Sequence, residues 1–404
     1  MEEISQYIYK QRKKVIKLQK ELVSRPALGP ENGGEGELEK AKFLLSYLKE
    51  IPNVTIKEFY AKDNRVKSGI RPNIVAVLPG KNRNTTVWIV SHLDVVPPGD
   101  LSLWKSDPFT LRVDGDLLYG RGVEDNHQGI VSSIIALEAL AYNGIEPEYN
   151  LGILLVSDEE TGNKFGLEFL FNEHKELFNK NDFFLIPDFG SKDSDLIEIA
   201  EKGMLWLKIT VIGKQCHASV PNKGKNTLVA CSAFIIRLRE LYSIFDKQDT
   251  LFFPQISTFE PTKKEQNVPN INTIPGKDIF YIDCRILPNY SIDDVFDEIK
   301  RLGKKIEEKY KVKIEYEIVL KISSPPTDKD HIFVKKLANI IEQECHVRPK
   351  FMGAGGGTVA VYPRKAGIGA AVWATLLENA HQPNEHSSIT NTLKDAKVMA
   401  RLVI

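Results

Sequence analysis

The sequence predicts an α/β protein in two parts. A larger domain, residues 1–199 and 321–404, has a mixed sheet flanked by helices, and an α+β sandwich, residues 200–320, is inserted into it. Three observations lead there. Short apolar runs alternate with helix-spaced segments in the first half of the chain, the signature of a layered α/β fold. Between about 200 and 320 the period shortens to strict alternation broken by two helical stretches, and after about 325 the first style returns. The 404 residues also exceed the roughly 100 to 200 that one core ordinarily organises.

Residues 2–24 and 36–50 carry apolar positions at helical spacing, the second through Leu38, Ala41, Leu44, Leu45 and Leu48. The runs "NIVAVLP", "TVWIVS", "NLGILLVS" and "FFLIP" have strand length, and "GIVSSIIALEALAYNG" between the second and third reads as a helix. Alternation in "MLWLKITVIG" puts Leu205, Leu207, Ile209 and Val211 on one face. A helix over 227–242, a strand at "DIFYIDCRIL", a charged helix from "SIDDVFDEIKRLGKKIEEKY" and a strand at "VKIEYEIVL" complete the insert. Helices over 331–344 and 390–402 then bracket a strand at "IGAAVWATL", with no repeat or low-complexity tract anywhere.

Lys plus Arg and Asp plus Glu both number 54, and no basic stripe rich in aromatics stands out, which argues against a nucleic-acid partner. No apolar run approaches the roughly 18 residues of a membrane span, and the charged start "MEEISQYIYKQRKKVIKLQKEL" does not read as an export signal. The expectation is a cytoplasmic protein without a membrane partner. Cys216, Cys231, Cys284 and Cys345 lack paired spacing and read as reduced thiols.

Chemistry gathers where the predicted strands run out. In "VWIVSHLDVVPPGD" an apolar strand ends on His92 and Asp94, which as i and i+2 share a face; a histidine beside a carboxylate suits a metal ligand and its orienting partner. Asp125 in "YGRGVEDNHQG" falls between a glycine turn and a helix start. Asp158, Glu159 and Glu160 follow "LVS", Asp188 follows "FFLIP", and His381 lies in "ENAHQPNEHSS". Each has an ordinary alternative: solvated turn charge for the acidic run, a turn former at Asp188, a helix cap at Asp125, a surface residue at His381. Ligands of open α/β sheets collect at the carboxyl ends of strands, however, and carboxylates crowded there resist ionising together unless cations join them. Two histidines with three or four carboxylates are a donor set for zinc or a similar borderline ion.

Together, "SHLDVVPPGD", "GRGVEDNHQG", "SDEETGN", "IPDFG" and "AHQPNE" resemble, across residues 92–385, the co-catalytic zinc amidohydrolases and peptidases. That family includes acetylornithine deacetylases, succinyl-diaminopimelate desuccinylases, aminoacylases, glutamate carboxypeptidases and bacterial dipeptidases. The resemblance implies a metal-dependent hydrolase cleaving an amide or peptide bond beside a free carboxylate. It implies two Zn2+ per subunit, with Co2+ or Mn2+ as substitutes. Asp125 would bridge the ions, with His92 and Asp188 on one and Glu160 and His381 on the other; His92 with Glu160 is the alternative pairing. Asp94 would steady His92 from behind, and Glu159 would be the general base. His386 competes with His381, but the spacing of His381, Asn384 and Glu385 matches the family's terminal motif.

The resemblance makes the insert a lid and dimerisation domain. In it "VIGKQCHASVP" implies His217 as an oxyanion stabiliser supplied across a homodimer, and "NINTIPGKDIFYIDCRI" implies Asn272 and Arg285 as holders of the substrate carboxylate. "GAGGGTVA" lacks the lysine of a phosphate loop; the resemblance implies a backbone bed at Gly356, Gly357 and Thr358 instead. Asn126, His127 and Gln128 depart from the methionine and lysine that desuccinylases carry after the bridging aspartate, and "GGGT" with "HQPNE" is closer to the dipeptidase branch. A small peptide is therefore the expected substrate, with dipeptidase or carboxypeptidase action. An N-acyl amino acid such as N-succinyl-diaminopimelate is the alternative, and an inactive metal-dependent binding module the non-enzyme one.

Overall fold

In the computed structural model, which describes residues 2–404, the apolar runs pair into the centre of an eight-stranded mixed sheet. From edge to edge its strands are Thr55–Lys62, Ile70–Leu78, Tyr149–Val156, Asn82–His92, Phe183–Ser191, Gly369–Thr375, Leu196–Glu201 and Lys350–Ala354. The four from Tyr149–Val156 to Gly369–Thr375 are parallel. Parallel strands covered on both faces read as continuous apolar runs, which is why these four were legible. Trp88, Val90, Leu154, Phe184, Ile186 and Val372 share one buried cluster. The helix His127–Ala141 is buried along its whole length and packs on Ile389–Leu402, which explains its lack of a polar face.

The chain divides into two compact units: residues up to Ile199 with Thr327–Met352 and Thr358–Ile404, and Ala200–Pro326 with Gly353–Gly357. The second unit has a four-stranded antiparallel sheet in the order Thr258–Lys264, Lys277–Ile286, Gly203–Ile212, Lys313–Ile322. Leu205, Leu207, Ile209 and Val211 form its core with Phe234 of the helix Thr227–Arg237 and Val295, Ile299, Leu302 and Ile306 of Ile292–Tyr310. Ser291 caps the latter helix with its side chain on the Asp293 N–H, and Asn226 caps the former.

Several elements differ from the sequence reading. The expected 2–24 helix is two, Glu2–Tyr9 and Arg12–Val23. The 227–242 helix ends at Arg237 and continues as a 3-10 turn and a short helix, Leu241–Ile244. The strands Thr55–Lys62 and Thr258–Lys264 were missed because both are edge strands with few buried positions, and Pro261 sits beside a bulge in the second. Asp188 does not follow its strand but lies within it: the register with Gly369–Thr375 shifts there, Val372 facing Ile186 and Ala374 facing Gly190. Such a bulge, here at Pro187, which has no N–H to donate, re-aims a side chain without ending the sheet. Among the described residues no helix is long and apolar enough to cross a membrane.

Candidate metal centre

At the carboxyl ends of the four parallel strands the first unit assembles side chains from five separated segments. His92 closes its strand, Glu159 and Glu160 follow Val156, Asp188 projects from the bulge, Asp125 precedes the helix at His127, and His381 lies in the loop after Thr375. Two triads result, His92 with Asp125 and Asp188, and Asp125 with Glu160 and His381; within each, ligand atoms lie within 4.8 Å of one another. Asp125 belongs to both. Its Oδ1 is 2.9 Å from His92 Nε2, and its Oδ2 is 3.0 Å from His381 Nε2. Asp188 Oδ1 is 3.5 Å from His92 Nε2, and Glu160 is 3.2 Å from His381 Nε2. His386 is in neither group; it stacks on Tyr119.

Local geometry explains why these side chains point inward. Asp94 steadies His92 through its main-chain oxygen, 2.9 Å from Nδ1, whereas its carboxylate stands 3.6 Å from that nitrogen. The carboxylate instead accepts the N–H groups of Glu159 and Glu160 at 3.1 and 3.0 Å, fixing the turn that carries both. Behind that turn Arg71 pairs with Glu37, and Glu37 accepts the Asp158 N–H at 3.3 Å. Asn126 donates to Asp188 Oδ1 at 2.6 Å and to the Pro187 carbonyl at 2.8 Å, holding the bulged carboxylate.

Two carboxylates outside the triads exchange places across the site. Glu385, fully buried, accepts the N–H groups of Gly122, Glu124 and Asp125 at 3.0–3.1 Å and pairs with Arg121. Glu124 reaches back to the N–H groups of Leu377 and Asn379. Each loop therefore clamps the backbone of the other. This matters for His381, whose φ of +64° is left-handed. A non-glycine residue there costs about 1–3 kcal/mol and persists only where its surroundings over-determine it. Glu385 appeared in sequence only as part of a motif and Glu124 not at all, since a carboxylate satisfied by main-chain N–H groups from a distant loop leaves no local pattern.

The electrostatics are those of a cation site. Burial works against ionising Asp125, but hydrogen bonds from His381 and His92 outweigh it and hold its carboxyl far below the usual range. Asp125 and Glu160 push the His381 imidazole up to about 10. For His92 burial favours the neutral ring, yet Asp125, Asp188 and Asp94 raise it well above its ordinary value. Burial, then the charge of Asp188, drives the Glu159 carboxyl well above the carboxylate range, with Glu160 and Asp94 adding to the rise. Two imidazoles and three carboxylates within ligand spacing fit a pair of borderline divalent ions sharing one carboxylate.

The remaining predicted residues lie in or next to the second unit. His217 pairs with Thr273 in a two-stranded ladder, and the Asn272 carbonyl accepts the Ala218 N–H, so His217 and Asn272 are neighbours at one exposed tip. Ser219 engages His217 Nδ1, its Oγ at 2.8 Å and its N–H at 3.2 Å, so Nε2 is the ring nitrogen that Ser219 leaves clear. Arg285 is more committed than its expected role suggests: Nε and Nη2 donate to Asp283 at 2.7 and 3.0 Å, and Nη1 to the Gly355 carbonyl at 3.1 Å. A Cβ on Gly356 would stand 3.9 Å from Arg285 Nη1, so this guanidinium lies along the glycine segment. Thr358 Oγ accepts the Ala360 N–H at 3.1 Å, capping the next turn.

The chain is similar to known proteins over most of its length. The chain is 42% identical over 406 residues to an uncharacterized metallohydrolase of Methanocaldococcus jannaschii, covering 96% of this chain and 98% of that protein. It is 27% identical over 387 residues to a succinyl-diaminopimelate desuccinylase of Rickettsia bellii, covering 93% and 92%. Its fold matches the aminopeptidase PepT of Bacillus cereus with a TM-score of 0.76 at 18% identity, over 97% of this chain and 98% of that one. Residues 88–404 match the profile of peptidase family M20/M25/M40, and the chain belongs to that family as a metallohydrolase.

Proposed function

We propose that the protein hydrolyses an amide or peptide bond next to a free carboxylate in a small peptide, using two divalent ions and Glu159 as general base. The observation that carries this reading is the shared carboxylate of Asp125, one oxygen toward His92 and the other toward His381, with half-buried Glu159 beside them. His92, Asp125, Asp188, Glu160 and His381 would hold the ions, which when bound would supply Lewis-acid activation of the scissile carbonyl and the attacking water; zinc suits this donor set, as do cobalt and manganese. Glu159 takes that water's proton and delivers it to the leaving nitrogen. Asp94 fixes the Glu159 main chain, so it positions the base rather than acting on substrate.

Of the residues in or next to the second unit, His217 donates from Nε2 to the developing oxyanion, and Asn272, Arg285 and the Gly356–Thr358 segment receive the substrate's carboxylate end. Asp283 already neutralises Arg285, so the carboxylate meets a preorientated dipole rather than a free cation. We assign His217 to the active site of a partner copy in a homodimer. Mixing His217→Ala with Glu159→Gln should restore part of the activity that each variant lacks, and an inactive mixture contradicts the assignment. Deacylation of N-acyl amino acids is the second reading, favoured by the 27% identity to a desuccinylase. Steady-state kinetics on dipeptides against N-succinyl and N-acetyl amino acids separates the two. The first reading expects kcat/KM for dipeptides to lead, and a lead for the N-acyl series replaces it with the second.

Metal uptake carries a pH signature. A histidine ligates as the neutral ring, so His381, raised to about 10, and His92, also raised, must surrender protons when cations enter. Apparent affinity therefore rises from pH 6 to pH 9. Calorimetric titration with Zn2+ in buffers of different ionisation enthalpy should show at least about one proton released per chain at pH 7; none released contradicts the ligand set.

A further inference from the structure

We infer that Lys40 is a positioning residue for the metal centre: its buried ammonium ties the His92–Asp94 segment to the Asp125–His127 turn and fixes their spacing. The inference rests on the metal-centre reading above. Lys40 lies on the helix Leu38–Leu48 and is 1% exposed. Its Nζ donates to the Leu93 carbonyl at 2.7 Å and lies 2.8 Å from His127 Nε2. Leu93 stands between His92 and Asp94, and His127 follows Asp125 by two residues, so one cation reaches both ligand-bearing segments. The 2.8 Å contact joins the Lys40 amino group to the His127 ring through Nε2, the ring nitrogen that faces it. Gly122 makes the approach of the ring feasible: its φ is +88°, and a Cβ there would fall 2.7 Å from the His127 ring.

Stability does not account for this lysine. Burying an ammonium is costly unless it is paired, and among the described residues no carboxylate lies within ion-pair distance of Nζ. Burial pulls the group down to about 7, against the longer-range pull of Asp94, Glu37 and Glu385. Leu44 and Leu48, four and eight positions on, show that the same helix face packs as apolar core. A leucine at position 40 would pack as they do but would make neither bond. What the ammonium adds is direction, holding two loops whose ligands must meet on the same ions. The helix also lies ahead of the 88–404 stretch that matches the family profile, so the tie comes from a part of the chain outside it.

The test titrates Co2+ into ion-free full-length protein, reading the dissociation constant and the visible absorption of the bound cobalt. Loss of a partner behind a ligand ordinarily costs about 10- to 100-fold in metal affinity. Lys40→Met should lose that much and alter the cobalt spectrum; an unchanged constant and spectrum overturn the inference, whatever happens to the melting temperature. Should Lys40→Met not fold, His127→Gln and His127→Leu decide. Glutamine offers Lys40 an acceptor and should keep the affinity, leucine should lose it, and equal behaviour of the two overturns the inference. A wild type that takes up no cobalt overturns the metal-centre reading itself.

Discussion

Replacing Glu159 with Gln should cut kcat by about 10²- to 10⁴-fold, the usual worth of a positioned general base, while metal content stays at the wild-type level. Glutamine keeps the size of the side chain and removes its ability to take a proton. Glu159 belongs to neither triad, so the ligand sets remain complete. Its main chain remains pinned as well, because the Asp94 carboxylate grips the N–H rather than the side chain. KM should move little, since the residue acts on the water and the leaving nitrogen rather than on ground-state binding. Steady-state kinetics with metal analysis of the same sample checks all three statements. Turnover that survives the change removes Glu159 from its role; turnover lost together with the metal makes it a ligand instead.

Asp125→Asn should be more damaging still, because the side chain serves both triads. An amide in its place keeps one carbonyl oxygen but loses the charge and offers a donor where the second ligand atom stood. Affinity at both positions should fall by more than the roughly 100-fold that loss of an outer partner costs, and turnover should disappear with it. The comparison that isolates sharing is Glu160→Gln, which belongs only to the triad with His381, and Asp188→Asn, which belongs only to the triad with His92. Each of these should weaken one ion and spare the other. Metal titration of the three variants gives the pattern directly, and an Asp125→Asn protein that still holds one ion at wild-type affinity contradicts a shared carboxylate.

Much of this architecture was legible because the chemistry and the fold obey the same local rule. Apolar parallel strands announce themselves by composition, and chemistry collects where the strands stop, so His92, the Asp158–Glu160 run and His381 stood out by position, while their roles as ligands came from the family resemblance. Asp188 was expected after its strand and lies within it, since a bulge that keeps Pro187 and Asp188 inside a strand looks in sequence like its end. The supports were harder to see. Glu124, Glu385 and Arg71 act through main-chain groups or partners far away in the chain, and nothing beside them marks the partnership. Lys40 did leave a signal: it occupies the position four before Leu44 on an apolar stripe, where a lysine is out of place unless it is buried for a purpose.

The central claim is that five distant segments hold two cations around one aspartate. Anomalous diffraction from crystals grown with Zn2+ or Co2+ tests it most directly. Two peaks roughly 3.5–4 Å apart, with the Asp125 carboxylate between them, are the predicted result. A single peak, or ions bound away from His92 and His381, contradicts it.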